Sequence, residues 1–270
     1  MKNILVINDI PSYGVVAANA MSAILRYYGN QVFVLPTGLV SNTFDYGKFE
    51  IVNTLEYMKN TLNVWKQLDF KNDVICTGFI LDTDQSSYIL DVLKESDAYK
   101  MVDPIMGDDG KLYNGIDDKT IRANRELCAV ADLVVPNFTE ASFLTDLYTG
   151  KTVVSKEEVM EVIDGLRKLG SKNILITSLL LDDGKHYIAG YEDDYFFIEF
   201  DYLPVRIPGT GDIFSSVLIA ELSSGSSLFD ATNKAKDFVF RIVEKNVNVE
   251  DAYKGVNIER YLHLLGEVHD

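Results

Sequence analysis

The chain has 270 residues, of which 47% are hydrophobic and 24% charged, and carries a formal net charge of -16. That length and balance suit one large folded domain spanning residues 1–270, not a disordered chain. So acidic a chain disfavours nucleic acid and anionic membrane as partners, because both reward basic patches. An anionic small molecule stays admissible where helix N-termini, a few Lys or Arg, or a divalent metal act locally.

The opening "MKNILVINDIPSYG" holds an apolar run too short for a secretory signal or a spanning helix, with an Asp soon after it. Cys76 and Cys128 are the two cysteines, and unmotivated thiols suit a reducing cytoplasm. From there, short apolar runs alternate with helical periodicity. "NILVIN" (Asn3 to Asn8) predicts a strand, Val15 to Tyr28 a helix, "QVFVLP" a strand, and the amphipathic stretch Tyr46 to Leu68 a long helix before "DVICTG" at Asp73. "YKMVDP" at Tyr99, "ADLVVPN" at Ala131 and "KNILIT" at Lys172 predict further strands. Helices are expected between them at Asp117 to Val130, Thr139 to Tyr148 and Ser155 to Leu169. His186 to Ala189 and Tyr195 to Phe200, separated by "GYEDD", read as an antiparallel hairpin. Helices at Asp212 to Ser223, Leu228 to Asn246 and Ile258 to Leu265 complete the pattern. Apolar strands alternating with helices imply a three-layer α/β/α sandwich on a mainly parallel central sheet.

In such a sheet, ligands collect at the carboxyl ends of the strands. "VDPIMGDDGKLY" (Val102 to Tyr113) follows a strand and holds Asp103, Asp108 and Asp109 with Gly107 and Gly110. It reads either as an exposed acidic turn or as a cluster whose mutual repulsion a hard cation bridging to phosphate would relieve. "VVPNFTEASFL" sets Asn137 three residues before Glu140. This is either a capping box worth about 1 kcal/mol or a pair that holds a metal-bound water. In "ILITSLL", Thr177 and Ser178 stand at a strand end, in an ordinary turn or as hydroxyls for a nucleotide phosphate.

"RIPGTGDIFSSVLIAEL" makes the strongest local case. Gly209, Thr210 and Gly211 bare several amides at a helix start, which forms an anion site. The helix dipole alone would favour Asp212 as a plain terminal acid. A carboxylate beside an anion hole is also what phosphoryl transfer to an alcohol requires: the acid takes the hydroxyl proton while amides hold the moving charge.

The segments "VDPIMGDDGKLY", "VPNFTEA", "ITS" and "PGTGD", in that order, resemble the ribokinase superfamily, and "NDIPSYG", "LPTGLVSNTFDY" and "CTGF" resemble its pyridoxal (vitamin B6) kinase branch. The resemblance covers nearly the whole chain. It implies a ribokinase-like fold and an ATP-dependent, magnesium-assisted transfer to the hydroxymethyl group of a B6 vitamer. Asp212 matches the catalytic base, and Gly209, Thr210 and Gly211 match the anion hole. Asp103, Asn137 and Glu140 match positions that arrange magnesium and its waters, Asp103 and Glu140 being the expected metal residues, with Asp108 close by. Tyr113, Thr177 and Ser178 match nucleotide-side positions, and Val135 stands where many members have threonine.

The acceptor side implied by the resemblance is Asp9, Ser12, Asn42, Thr43, Phe44 and Phe79. Members of that branch commonly carry near Asp9 a Ser that touches the pyridine ring, Thr43 and Phe44 here replace the His and Thr of "SNHT", and Phe79 occupies a place often held by Tyr. Arg206 and Lys111 are candidates for screening phosphate charge. The resemblance further implies a homodimer and leaves open whether a monovalent cation such as K+ assists. Two alternatives remain beside pyridoxal kinase: a hydroxymethylpyrimidine kinase, and a vitamer- or nucleotide-binding protein with weak turnover. A sugar kinase comes third, because no long polar lid insertion stands near the N-terminus.

Overall fold

The computed structural model describes residues 1–266. In chain order it contains strand β1 (Asn3–Pro11), helix α1 (Ala17–Tyr27), β2 (Gln31–Val40), β3 (Ile51–Asn53), α2 (Leu55–Gln67), β4 (Val74–Thr77), α3 (Thr83–Glu95) and β5 (Tyr99–Val102). The short strands β6 (Gly107–Asp108) and β7 (Lys111–Leu112), then α4 (Asp118–Ala129), β8 (Leu133–Val134), α5 (Phe138–Thr145) and α6 (Lys156–Leu169) follow. Next come β9 (Asn173–Leu180), β10 (His186–Tyr191), β11 (Tyr195–Phe200), α7 (Thr210–Ser223) and α8 (Leu228–Asn246), with 3-10 turns at Phe44–Tyr46, Ile258–Arg260 and Leu262–Leu265. The chain forms two compact units, one from Met1–Leu81 together with the segment from Tyr202 onward, the other from Asp82–Asp201.

In the first unit β1 lies between β2 and β4 and runs parallel to both, while β3 adds antiparallel to the outer edge of β2. Ile4, Leu5, Val6 and Ile7 of β1 are all buried, as expected of a strand covered on both faces. Each such side chain contributes about 1.5–3 kcal/mol of burial free energy. Helix α7 packs against α1 and α8 and is buried without interruption from Ile213 to Glu221, so only its two ends are accessible, the first bearing Thr210, Gly211 and Asp212. The register of β1 against β2 shifts between Asn8 and Ile10, a bulge of the kind that re-aims side chains at strand ends.

In the second unit β8 pairs parallel to both β5 and β9, and the predicted hairpin is present, with β9, β10 and β11 successively antiparallel. The α/β class with mainly parallel strands and covering helices is therefore borne out. Three elements differ from expectation. Tyr46 to Leu68 is not one helix: a strand pairs with Gly38–Val40 before α2 begins at Leu55. The helix α3, capped by the Asp82 side chain on the Gln85 amide, was not anticipated. Ile258 to Leu265 forms two 3-10 turns in place of an α-helix. Among the described residues no helix is long and apolar enough to cross a membrane.

Candidate active site

In the first unit, Gly209 caps α7 in the left-handed conformation (φ 84°) and no side chain caps the helix. A Cβ on Gly209 would sit 2.8 Å from Val16 Cγ1, so the position demands glycine twice over. A Cβ on Gly211 would meet nothing within 4 Å. Internal packing therefore does not account for Gly211. Asp212 lies in the first turn, partly exposed. Its Oδ2 accepts from the Ala17 amide at 2.9 Å and its Oδ1 from Asn8 Nδ2 at 3.0 Å. Burial raises its carboxyl above the ordinary 3.8, and these two donors oppose the rise. The result is a fixed carboxylate with an elevated proton affinity, a property suited to a general base.

Ala17 donates from a backbone at φ 48°, a left-handed conformation unusual for alanine that concentrates at functional sites. Asp9, 5% exposed at the end of β1, is pushed up to about 7 by burial and then by the Asp212 charge. Phe79 is gripped through its backbone, its N–H donating to Asn8 Oδ1 at 2.8 Å and its carbonyl accepting from Thr37 Oγ1 at 2.8 Å. Its ring stands 5.4 Å from that of Phe44, which in turn meets Phe49 at 4.7 Å, giving an aromatic wall.

The neighbouring expected residues serve the loops. Asn42 Nδ2 donates to the Thr43 and Lys48 carbonyls, and Thr43 Oγ1 donates to the Tyr253 carbonyl at 2.6 Å. Ser12 is exposed, its amide bonded to the Val40 carbonyl. Arg206 pairs with Asp45 at 3.0 Å.

In the second unit, Asn137 and Glu140 form the capping box of α5. Asn137 Oδ1 accepts from the Glu140 amide at 2.9 Å, and Glu140 Oε2 from the Asn137 amide at 2.8 Å. Glu140 Oε1 accepts from the Met106 amide at 3.0 Å, and Asn137 Nδ2 donates to the Gly107 carbonyl at 2.7 Å. The pair therefore pins the loop after β5 to the start of α5. Capping leaves a ligand role open, because the loop so held carries Asp103. Burial, then the Asp103 charge, raises the Glu140 carboxyl well above its ordinary range. Buried Glu140 and the partly exposed Asp103 repel each other, a pairing that a divalent cation would relieve.

The expectation of a three-carboxylate cluster in this loop is not met. Asp108 and Asp109 are exposed at the β6–β7 hairpin, where Asp109 and Gly110 have φ 49° and 75°, as a tight hairpin turn requires. Among the described residues no group of three or more His, Cys, Asp or Glu gathers to hold a metal. Gly110 is anchored instead by its amide on Thr139 Oγ1 at 2.8 Å. Tyr113 is exposed beyond the hairpin, Val135 is buried, and Thr177 bridges to Asn137 beside Ser178, whose φ is 58°.

Sequence reasoning passed over Asn8, Ala17, Thr37 and Thr139. A polar side chain within the apolar run "NILVIN" was the one available signal, since a buried amide needs partners.

The chain matches the family described as phosphomethylpyrimidine kinase over residues 28–257. It is 31% identical over 232 residues to a hydroxymethylpyrimidine/phosphomethylpyrimidine kinase of Staphylococcus aureus, covering 79% of this chain and 81% of that one. A crystal structure of a candidate phosphomethylpyrimidine kinase from Bacteroides thetaiotaomicron, solved with pyridoxal, superposes with a TM-score of 0.91 at 31% identity, over 98% of this chain and 95% of that one. The pyridoxal kinase of Lactobacillus plantarum superposes with a TM-score of 0.89 at 25% identity, over 98% and 96% of the two chains.

Proposed function

The chain belongs to the phosphomethylpyrimidine kinase family and is a kinase of the ribokinase-like fold, and on that premise we propose that it phosphorylates the 5'-hydroxymethyl group of a B6 vitamer with ATP. The observation that carries this reading is Asp212, held at both oxygens and raised in proton affinity, beside the uncapped amides of Gly209 to Gly211. A pure binding protein has little use for a base placed next to an anion hole. The relative from Bacteroides thetaiotaomicron solved with pyridoxal supports the choice of acceptor.

In the proposed reaction Asp212 accepts the hydroxymethyl proton as the alcohol oxygen bonds to the terminal phosphorus of ATP. The bond from that phosphorus to the bridging oxygen breaks, ADP departs, and the amides at the start of α7 hold the negative charge on the moving group. Phe79 and Phe44 offer an apolar wall to an aromatic ring. Mg2+, held by Asp103 with Asn137 and Glu140 ordering its waters, would supply charge neutralisation at the donor phosphates. Thr177 and Ser178 are the proposed nucleotide-side hydroxyls.

A second reading, hydroxymethylpyrimidine as the acceptor, is favoured by the family match and by the Staphylococcus aureus relative. Incubation with magnesium-ATP and, separately, pyridoxal, pyridoxine, pyridoxamine and hydroxymethylpyrimidine, followed by product analysis, decides between them. The expected result is a vitamer 5'-phosphate, with Asp212→Asn lowering kcat by roughly 10²–10⁴-fold. Phosphorylation of the pyrimidine alone would replace the first reading with the second. No ADP release with any alcohol would overturn both.

A further inference from the structure

We propose that Asn8 is a positioning residue: its side-chain amide fixes the Asp212 carboxylate and ties it to the backbone of Phe79, so that base and acceptor wall share one support. The inference rests on the phosphoryl-transfer reading of Asp212.

Asn8 is fully buried in β1 and uses both ends of its amide. Oδ1 accepts from the Phe79 amide at 2.8 Å and from the Asp9 amide at 3.0 Å. Nδ2 donates to Asp212 Oδ1 at 3.0 Å and lies 3.5 Å from Met21 Sδ. This pattern permits one orientation of the group. Turning it over would set the NH2 against two N–H donors and the carbonyl oxygen against a carboxylate. The backbone thus dictates that a donor faces Asp212.

Gly78 reinforces the arrangement from the other side. A Cβ there would fall 2.4 Å from Asn8 Nδ2, 2.5 Å from Cγ and 2.6 Å from Oδ1, so the glycine keeps open the space the amide occupies. The Ala17 amide holds the other carboxylate oxygen. With Asn8 in place neither oxygen of Asp212 is left to swing. A donor aimed at one oxygen also favours the ionised, proton-accepting form.

Two substitutions test this. Asn8→Asp keeps the shape and the acceptor for the Phe79 and Asp9 amides but presents an oxygen to Asp212. Gly78→Ala displaces the amide while leaving the Asn8, Asp212 and Phe79 side chains chemically unchanged. Each is made alone and together with Asp212→Asn, with folding checked by circular dichroism. The expected result for each single variant is a kcat loss of roughly 10–100-fold, the scale set by small misplacements of reacting groups. KM for the acceptor alcohol should change by less than about threefold in Asn8→Asp, which keeps the bond to Phe79, and should rise in Gly78→Ala, which displaces it; in the Asp212→Asn background neither substitution should lower kcat further, as residues acting through one another are not additive. Folded variants that keep wild-type kcat, or that lose the same factor when Asp212 is already Asn, overturn the proposal. Failure of both to fold assigns the amide to folding and also overturns it. Wild-type protein inert toward every alcohol removes the functional reading and this inference with it, whereas active wild type with indifferent variants removes this inference alone.

Discussion

Asp9 and Asp212 stand close enough for their charges to oppose each other, and this repulsion, added to the larger effect of burial, pushes the Asp9 carboxyl up to about 7. In the unfolded chain the same group ionises near its ordinary 3.8. Between those values the native protein binds the extra proton, so stability falls as pH rises and levels off above about 7. Asp9→Asn, which does not ionise, should gain stability relative to wild type on going from about pH 5 to about pH 8, by on the order of 1–3 kcal/mol. Urea midpoints of both proteins at the two pH values measure this, and an unchanged difference would refute it.

The glycines at the start of α7 should separate fold from chemistry. Gly209→Ala forces a side chain into Val16 at a positive φ and should cost about 1–3 kcal/mol of stability. Gly211→Ala enters open space and should leave the Tm nearly unchanged while lowering kcat/KM for the phosphoryl donor, because the methyl group occupies the ground before the amides. Thermal melts and steady-state kinetics on the two variants check the contrast. A Gly211→Ala enzyme with full donor kcat/KM would remove that position from the anion site.

Asn137→Ala deletes the α5 cap and the bond to the Gly107 carbonyl together. A stability loss of about 1–2 kcal/mol is expected from the cap, with a weakened response to Mg2+ because the loop carrying Asp103 loses an anchor. Kinetics titrated with Mg2+ should show a higher half-saturating concentration. An unaltered magnesium curve at reduced stability would confine Asn137 to capping.

Local patterns were legible and distant partnerships were not. Gly209 to Asp212 announce themselves because a helix start and its bare amides are written in consecutive residues, and the capping box at Asn137 and Glu140 spans one turn. Asn8 signalled only that a polar group sits in an apolar run; its partners Phe79 and Asp212 lie 71 and 204 positions away and could not be read. The same reasoning explains β3, whose strand character comes from pairing with Gly38–Val40 and not from the amphipathic stretch that contains it. Helix α3 is stabilised by burying Ile89, Leu90 and Leu93 under a polar opening turn, which hid its periodicity. On the acceptor side, the sequence could not show that Asn42 Nδ2 donates to the Thr43 carbonyl and Thr43 Oγ1 to the Tyr253 carbonyl.

The bond from Thr43 to the Tyr253 carbonyl, with the bridge between Val15 and Gly255, has a bearing on biosynthesis. The loops after β1 and β2 leave the ribosome early, yet the Tyr253 carbonyl that fastens Thr43 follows 210 residues later. Asp82–Asp201, by contrast, is one uninterrupted stretch whose internal partners are all present before the segment from Tyr202 onward is made. The unit that carries Asp212 therefore stays incomplete until Tyr253 and Gly255 have been added to the chain.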